Sequence, residues 1–151
     1  MMFLLSAMLL LTGISAFSQK YKTFADTAKL NKEYIEVSND IVTLTSKLTV
    51  AQNDLQRYQN KADEAVAVAQ KAAVKSSDQA SKSIDGDVGD AKKARRRAKS
   101  AVREAKDANH ASNNLKDQEK KIANLKSQLL KKQQRLQELE KMRTGIQNIA
   151  Q

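Results

Sequence analysis

The sequence predicts an all-α fold, a long antiparallel two-helix coiled-coil hairpin that self-associates. Its 151 residues include no proline and only four glycines, and aromatic residues make up only 4% of the chain. So few large apolar side chains suit a compact globular core poorly, whereas long uninterrupted helices tolerate such a composition. The apolar residues also recur with a seven-residue period along most of the chain, which is typical of a coiled coil.

A cleaved export signal peptide is predicted at residues 1–18. The apolar run is about 17 residues long, which is short for a membrane-spanning helix. Ala16 and Ser18 supply the small residues that cleavage before Gln19 requires. The alternative is an uncleaved N-terminal single-span membrane anchor. No lysine or arginine precedes the run and two lysines follow it, a charge bias that would then favour the cytoplasmic side for the downstream chain.

Residues 19–82 are predicted to form the first coiled-coil arm. Its apolar residues alternate at spacings of four and three without a break, as the seam of a coiled coil requires. They are Leu30, Tyr34, Val37, Ile41, Leu44, Leu48, Ala51, Leu55, Tyr58, Ala62, Ala65, Ala69 and Ala72. Beyond Ala72 the same positions are polar, so the seam loses apolar character as it nears the turn.

The segment 83–90, SIDGDVGD, is predicted to be the turn between the arms. Glycine adopts positive φ at low cost, and an aspartate side chain accepts hydrogen bonds from free N–H groups at a helix start. The predicted turn and cap residues are Asp85, Gly86, Asp87, Gly89 and Asp90. Their spacing does not match a calcium-binding helix-loop-helix, and no metal site is predicted.

Residues 91–151 are predicted to form the second coiled-coil arm. Its apolar stripe consists of Ala91, Ala94, Ala98, Ala101, Ala105, Ala108, Leu115, Ile122, Leu125, Leu129, Leu136, Leu139 and Ile146. One row keeps a seven-residue step while its companion row changes sides near residues 108–115, which predicts a local irregularity in the winding. A reversal near residue 87 places residue i opposite roughly residue 174 − i, so alanines face alanines and leucines face leucines.

Self-association is predicted because a two-helix hairpin buries little apolar area by itself. Ile35 and Val42 lie off the seam one heptad apart, and Leu130 lies beside the seam of the second arm. Such unpaired apolar side chains indicate a second contact surface. A parallel dimer of one continuous rod is the competing architecture, and the two glycines of the turn disfavour it.

Eight basic residues at the start of the second arm project away from the alanine stripe on a helical wheel. They are Lys92, Lys93, Arg95, Arg96, Arg97, Lys99, Arg103 and Lys106. The formal net charge of the chain is +10, and only Glu104 opposes these residues between positions 91 and 106. The eight are either the solvated outer face of a coiled coil or a surface that contacts an anionic partner.

The predicted partners are a second copy of the chain and an unknown envelope protein or anionic polymer. No side chain suited to base readout is interleaved with the basic residues, so nucleic acid is disfavoured, and contact with it would be independent of base sequence. Stable membrane insertion after signal removal is not predicted, because alanine gives the opposite helix face too little apolar area.

No catalytic residue, cofactor or metal ligand is predicted. The chain has no cysteine and a single histidine, His110, and a lone histidine is rarely a metal ligand or a general base. A helical hairpin also offers no enclosed cleft in which a substrate is held or a pKa is shifted.

The expected function is that of a non-enzymatic, exported coiled-coil protein of the bacterial cell envelope, periplasmic or secreted, acting as a structural spacer or an interaction or adaptor module. A basic holdase-like periplasmic chaperone is one alternative, and a sequence-independent polyanion- or nucleic-acid-binding coiled coil, if the chain is not exported, is another. The size, export signal, basic charge and helical arms resemble the trimeric envelope chaperones with basic tentacles. Those chaperones have β-strands flanking the hairpin, whereas residues 19–30 and 141–151 show no strand alternation, so membership of that family is not predicted.

Overall fold

The structure, a computed structural model, describes Tyr21 and residues 24–149. A short 3₁₀ helix, Phe24–Asp26, precedes two long helices, α1 (Thr27–Lys82) and α2 (Val88–Ile149), and this described region contains no strand. The two helices pack against each other, so the predicted all-α two-helix hairpin is confirmed. The signal peptide predicted at residues 1–18 lies outside the described residues.

The apolar row predicted for α1 is the row that the hairpin buries. Every position of that row from Leu30 to Ala72 is buried or half-buried, and so are Ser76 and Gln79, which continue it. Spacings of four and three keep these side chains on one face of a helix with 3.6 residues per turn. Packing of that face on α2 therefore follows directly from the periodicity of the sequence.

The described residues divide into two compact units, and the first comprises those up to 44 and those from 128 to 149. Its buried core is a cluster of large side chains: Tyr21, Leu30, Val37, Leu139 and Ile146. Leu30 and Leu139 are fully buried, and burial of each such side chain stabilises the fold by roughly 1.5–3 kcal/mol.

The predicted register is confirmed by polar contacts in this first unit. Tyr34 Oη donates a hydrogen bond of 3.2 Å to Glu140 Oε1, the residue that the predicted register places opposite it. Lys132 Nζ lies 2.7 Å from Asp40 Oδ2, close to the predicted neighbour at position 134. These contacts show that α1 and α2 run antiparallel within the unit.

The second unit comprises residues 45–127 and has smaller side chains in its core. Its buried apolar residues are Ala51, Ala62, Ala108, Ile122 and Leu125. Alanine permits close packing of two helices, but each alanine removes little apolar area from water. Space therefore remains along the flanks of this part of the hairpin.

The prediction of an irregularity near residues 108–115 of α2 is wrong. Three alanines that were predicted on the seam are exposed: Ala91, Ala98 and Ala105. The companion row runs unbroken at seven-residue steps and consists of Asp90, Arg97, Glu104, Ala111, Gln118, Leu125, Lys132, Leu139 and Ile146. All of these except Arg97 are buried or half-buried, so polar residues occupy seam positions that a search for apolar residues passes over.

The connection between the helices is shorter than predicted, because α2 begins at Val88 rather than at Ala91. Asp87 caps the helix, since its Oδ1 accepts a hydrogen bond of 3.0 Å from the backbone N–H of Asp90. The carbonyl oxygen of Asp87 accepts further bonds from the N–H groups of Asp90 and Ala91, at 3.1 and 3.2 Å. The predicted capping role of Asp87 is thus confirmed.

Both glycines of the turn serve close packing, and the predicted positive φ occurs at neither. A Cβ on Gly86 would lie 2.9 Å from the carbonyl oxygen of Lys82 and 2.9 Å from the Cβ of Asp90. A Cβ on Gly89 would lie 2.9 Å from Oδ1 of Asp87, the atom that caps α2. The absence of a side chain at Gly86 thus allows the end of α1 and the start of α2 to approach.

Candidate anion-binding surface

We name as the cationic surface the eight basic residues that the sequence analysis singled out on α2. All eight are exposed: Lys92, Lys93, Arg95, Arg96, Arg97, Lys99, Arg103 and Lys106. They lie within the unit of residues 45–127, on the first turns of α2 after its cap at Asp87. Ala94, Ala101 and Ala108 are the half-buried or buried alanines of this part of α2, and the long basic side chains extend into solvent.

Two residues of the cationic surface have an acidic neighbour on their own helix. Lys93 Nζ lies 3.4 Å from Asp90 Oδ1, and Arg103 Nε lies 4.0 Å from Asp107 Oδ2. Exposed pairs of this kind contribute little to stability, about 0.3–0.5 kcal/mol on a helix. The remaining six form no ion pair with any residue that the structure describes, so the surface keeps most of its positive charge.

Arg97 differs from the other seven because it occupies the companion row of the seam. It lines an open groove of about 210 Å³ between the helices, together with Ser100 and Glu104 of α2. The α1 side of this groove is formed by Val68, Lys71, Ala72 and Lys75. The structure thus brings Lys71 and Lys75 close to the start of the cationic surface.

Lys71 and Lys75 were missed by the sequence analysis. They lie one helical turn apart on α1, where the surrounding sequence mixes polar and apolar residues and shows no run of charge. The antiparallel register could have indicated them, since it places residues 71 and 75 opposite roughly residues 103 and 99 of the basic segment.

The remaining candidate residues are the aspartates of the turn and His110. Among the described residues there is no group of three or more histidine, cysteine or acidic side chains that could hold a metal ion. Asp87 and Asp90 are engaged at the helix start, and Asp85 is exposed. His110 is exposed on α2.

A separate polar network stabilises the first unit. Arg135 of α2 donates to Glu33 Oε1 from Nε at 2.9 Å and from Nη2 at 2.7 Å, and to Glu138 Oε2 from Nη1 at 2.9 Å. Tyr21 Oη donates to Glu33 Oε2 at 2.6 Å. Burial by itself lowers the pKa of Arg135, but the hydrogen bonds and charges of Glu138 and Glu33 outweigh it and raise the pKa above its ordinary value. The network joins the segment before α1 to both helices.

Fold and surface together define a class of protein, a two-helix hairpin that carries an exposed cationic surface on its second helix. No stretch of α1 or α2 is apolar and long enough to cross a membrane. The chain matches no protein-family model, no curated protein sequence and no solved structure.

Proposed function

We propose that this chain is a non-enzymatic coiled-coil interaction module of the bacterial cell envelope, an exported spacer or adaptor whose cationic surface contacts an anionic partner. The observation that carries the proposal is the exposure of all eight basic side chains, six of them without an ion pair among the described residues. A coiled coil needs polar residues on its outer face, but it does not need that face to carry one sign of charge.

The physical basis of the contact is the release of counterions. A polyanion holds small cations close to its chain, and basic side chains that take their place release these counterions with a gain in entropy. Aromatic side chains are absent between Lys92 and Lys106, so the surface has no stacking platform for bases. The partner is therefore recognised by its charge, and the affinity falls steeply as salt is added.

Binding to long-chain inorganic polyphosphate tests this contact. A quadruple variant removes four cations of the surface and leaves Arg97 in place: Lys92→Gln, Arg95→Gln, Arg96→Gln and Lys99→Gln. We expect at least about a tenfold loss of affinity at low salt, with a shallower dependence on salt concentration.

The matched control removes four exposed lysines from elsewhere on α2: Lys116→Gln, Lys121→Gln, Lys126→Gln and Lys131→Gln. Both variants have the same net charge. Equal losses of affinity in the two would show that only total charge matters, and the cationic surface would then be no more than a solvated helix face.

The assignment to the envelope depends on the predicted signal peptide. N-terminal sequencing of the protein recovered from bacterial cells tests it directly. A mature chain that begins at Gln19 supports export, and recovery of an intact Met1 from the soluble cell fraction contradicts it.

The holdase-like chaperone is a second candidate, and the turn region favours it. Ile84 and Val88 are 80% and 73% exposed beside the cationic surface. A mixture of apolar and cationic groups at one end of a hairpin suits unfolded, acidic client segments. The protein should then suppress the aggregation of a heat-denatured client, and Ile84→Ser with Val88→Ser should reduce that effect. Undiminished suppression by this variant would oppose a chaperone contact at the turn.

A further inference from the structure

We infer that the groove between α1 and α2 that contains Arg97 binds a phosphate group. The donors are Lys71 and Lys75 of α1 with Arg97 and Ser100 of α2. This inference rests on the proposed anion contact and gives it a chemical class and a defined place. It also requires the hairpin, because neither helix alone carries the whole set.

Apolar and basic side chains line the groove together. Val68 and Ala72 are the apolar residues of the lining, and Lys71, Lys75 and Arg97 are the basic ones. Lys71 and Lys75 are four residues apart, so they project from the same face of α1. Arg97 and Ser100 are three residues apart and share a face of α2 in the same way.

Basic side chains outnumber acidic ones in the lining of the groove. Elsewhere in the same unit a cation finds an acidic neighbour on its own helix, as Arg57 does in Asp54 at 3.0 Å. No acidic residue lies three or four positions from Lys71 or from Arg97. Lys71, Lys75 and Arg97 form no ion pair with any described residue, and Glu104 is the one acidic side chain beside them in the lining, so the groove keeps an excess of positive charge.

The donor set suits a phosphate better than a single carboxylate. The groove supplies hydrogen-bond donors from two ammonium groups, a guanidinium and a hydroxyl. A phosphate supplies three or four acceptor oxygens with up to two negative charges. The planar fork of arginine matches two phosphate oxygens at once. A phosphate therefore pairs with more of these donors than one carboxylate can.

Glu104 opposes the binding of an anion in the groove. It lines the groove on α2, one turn beyond Ser100, and it is the acidic residue among the lining side chains. Its carboxylate repels an anion and partly offsets the three cations of the groove. Removal of this charge should strengthen binding, a gain that a merely structural role would not produce.

Calorimetric titration of the purified protein with tripolyphosphate at low salt tests the site. Lys71→Gln with Lys75→Gln should lower the affinity at least about tenfold, and Glu104→Gln should raise it roughly two- to fivefold. The matched control, Lys47→Gln with Lys61→Gln, removes the same charge from exposed positions of α1 outside the groove. Citrate, a carboxylate of similar charge, should bind more weakly than tripolyphosphate.

Equal affinities for the groove variant and its control would overturn the inference, as would a preference for citrate. Circular dichroism of each variant confirms that the helices are retained. If the quadruple surface variant loses polyphosphate while the groove variant keeps tripolyphosphate, the proposed function stands and the groove site falls. If neither variant loses affinity, both fall.

An experiment with lipid vesicles distinguishes a lipid headgroup from a free or polymeric phosphate. Co-sedimentation with vesicles that contain phosphatidylglycerol, lost in the groove variant, identifies a lipid headgroup as the ligand. Binding of tripolyphosphate without vesicle binding identifies a free or polymeric phosphate. Failure to bind either probe overturns the site.

Discussion

Gln118 of α2 donates a hydrogen bond of 2.7 Å from Nε2 to the backbone carbonyl oxygen of Ala51 on α1, 67 residues away along the chain. Both residues are buried, with 7% and 1% of their surfaces exposed. The long amide side chain occupies the space above a small alanine, and its polar end is satisfied by the backbone. A polar residue thus forms part of the seam of the second unit.

We predict that Gln118→Ala destabilises the hairpin by about 1–2 kcal/mol, because it removes both the packed side chain and its hydrogen bond. Gln118→Leu should be neutral or stabilising, since leucine fills a similar volume without a buried donor to satisfy. Urea denaturation followed by circular dichroism measures both free energies of unfolding. Equal destabilisation by leucine and alanine would mean that the hydrogen bond contributes more than the packing.

Gly86→Ala should destabilise the protein by about 1–3 kcal/mol, because the new Cβ would meet the backbone of Lys82 and the Cβ of Asp90. Gly145→Ala is the matched control, since a Cβ at Gly145 has no neighbour within 4 Å. That exchange should stabilise α2 by about 0.5–1 kcal/mol through helix propensity. Thermal unfolding measures both effects, and a stabilising Gly86→Ala would contradict the close approach at the turn.

Asp87→Ala should lower stability by about 1 kcal/mol, because it removes the capping hydrogen bond. Asp87→Asn should retain most of the stability, because the side-chain oxygen of asparagine also accepts a hydrogen bond from the N–H of Asp90. The measurement is the midpoint of thermal unfolding for the two variants beside the parent protein. An asparagine variant as unstable as the alanine variant would show that the negative charge at the helix start, rather than the hydrogen bond, is the stabilising part.

Arg135→Gln should cost about 1–2 kcal/mol of stability, because it breaks charge-assisted hydrogen bonds to Glu33 and Glu138 that are partly shielded from water. A raised pKa means that the folded state holds this proton more tightly than the unfolded state. The stabilisation is therefore fully present below the unfolded pKa of arginine, which lies far above neutral pH, and is lost only as the pH rises through the still higher folded pKa. Unfolding at pH 7 and pH 10 should give the same difference between parent and variant, and a marked decline at pH 10 would exclude this linkage.

Self-association is expected through the apolar side chains that the first unit leaves in solvent. Ile35, Val42 and Leu130 are 58%, 68% and 55% exposed. Sedimentation should show an oligomer that shifts toward monomer when all three become glutamine. The matched control replaces three comparably exposed valines of the second unit by glutamine: Val50, Val74 and Val102. A monomeric parent protein would contradict the expectation.

The seam of α1 was predictable because its large apolar side chains recur at four-three spacing from Leu30 to Tyr58, and no other face of that helix competes with them. In the first half of α2 the pattern is ambiguous, since Ala91, Ala98 and Ala105 lie beside Ala94, Ala101 and Ala108. An alanine gains little from burial, so two alanine rows are nearly equivalent by hydrophobicity alone.

The amino-acid sequence alone therefore sufficed for the all-α hairpin, the presence of a turn after Lys82 and the antiparallel register, because each depends on local propensity or on periodic large apolar groups. Tertiary packing decided the rest. It selected the row with Arg97, Glu104 and Gln118 over the exposed alanines, and it brought Lys71 and Lys75 of α1 to Arg97 of α2. Those choices depend on how side chains from two distant segments fill shared space, and hydrophobic periodicity within one helix does not contain that information.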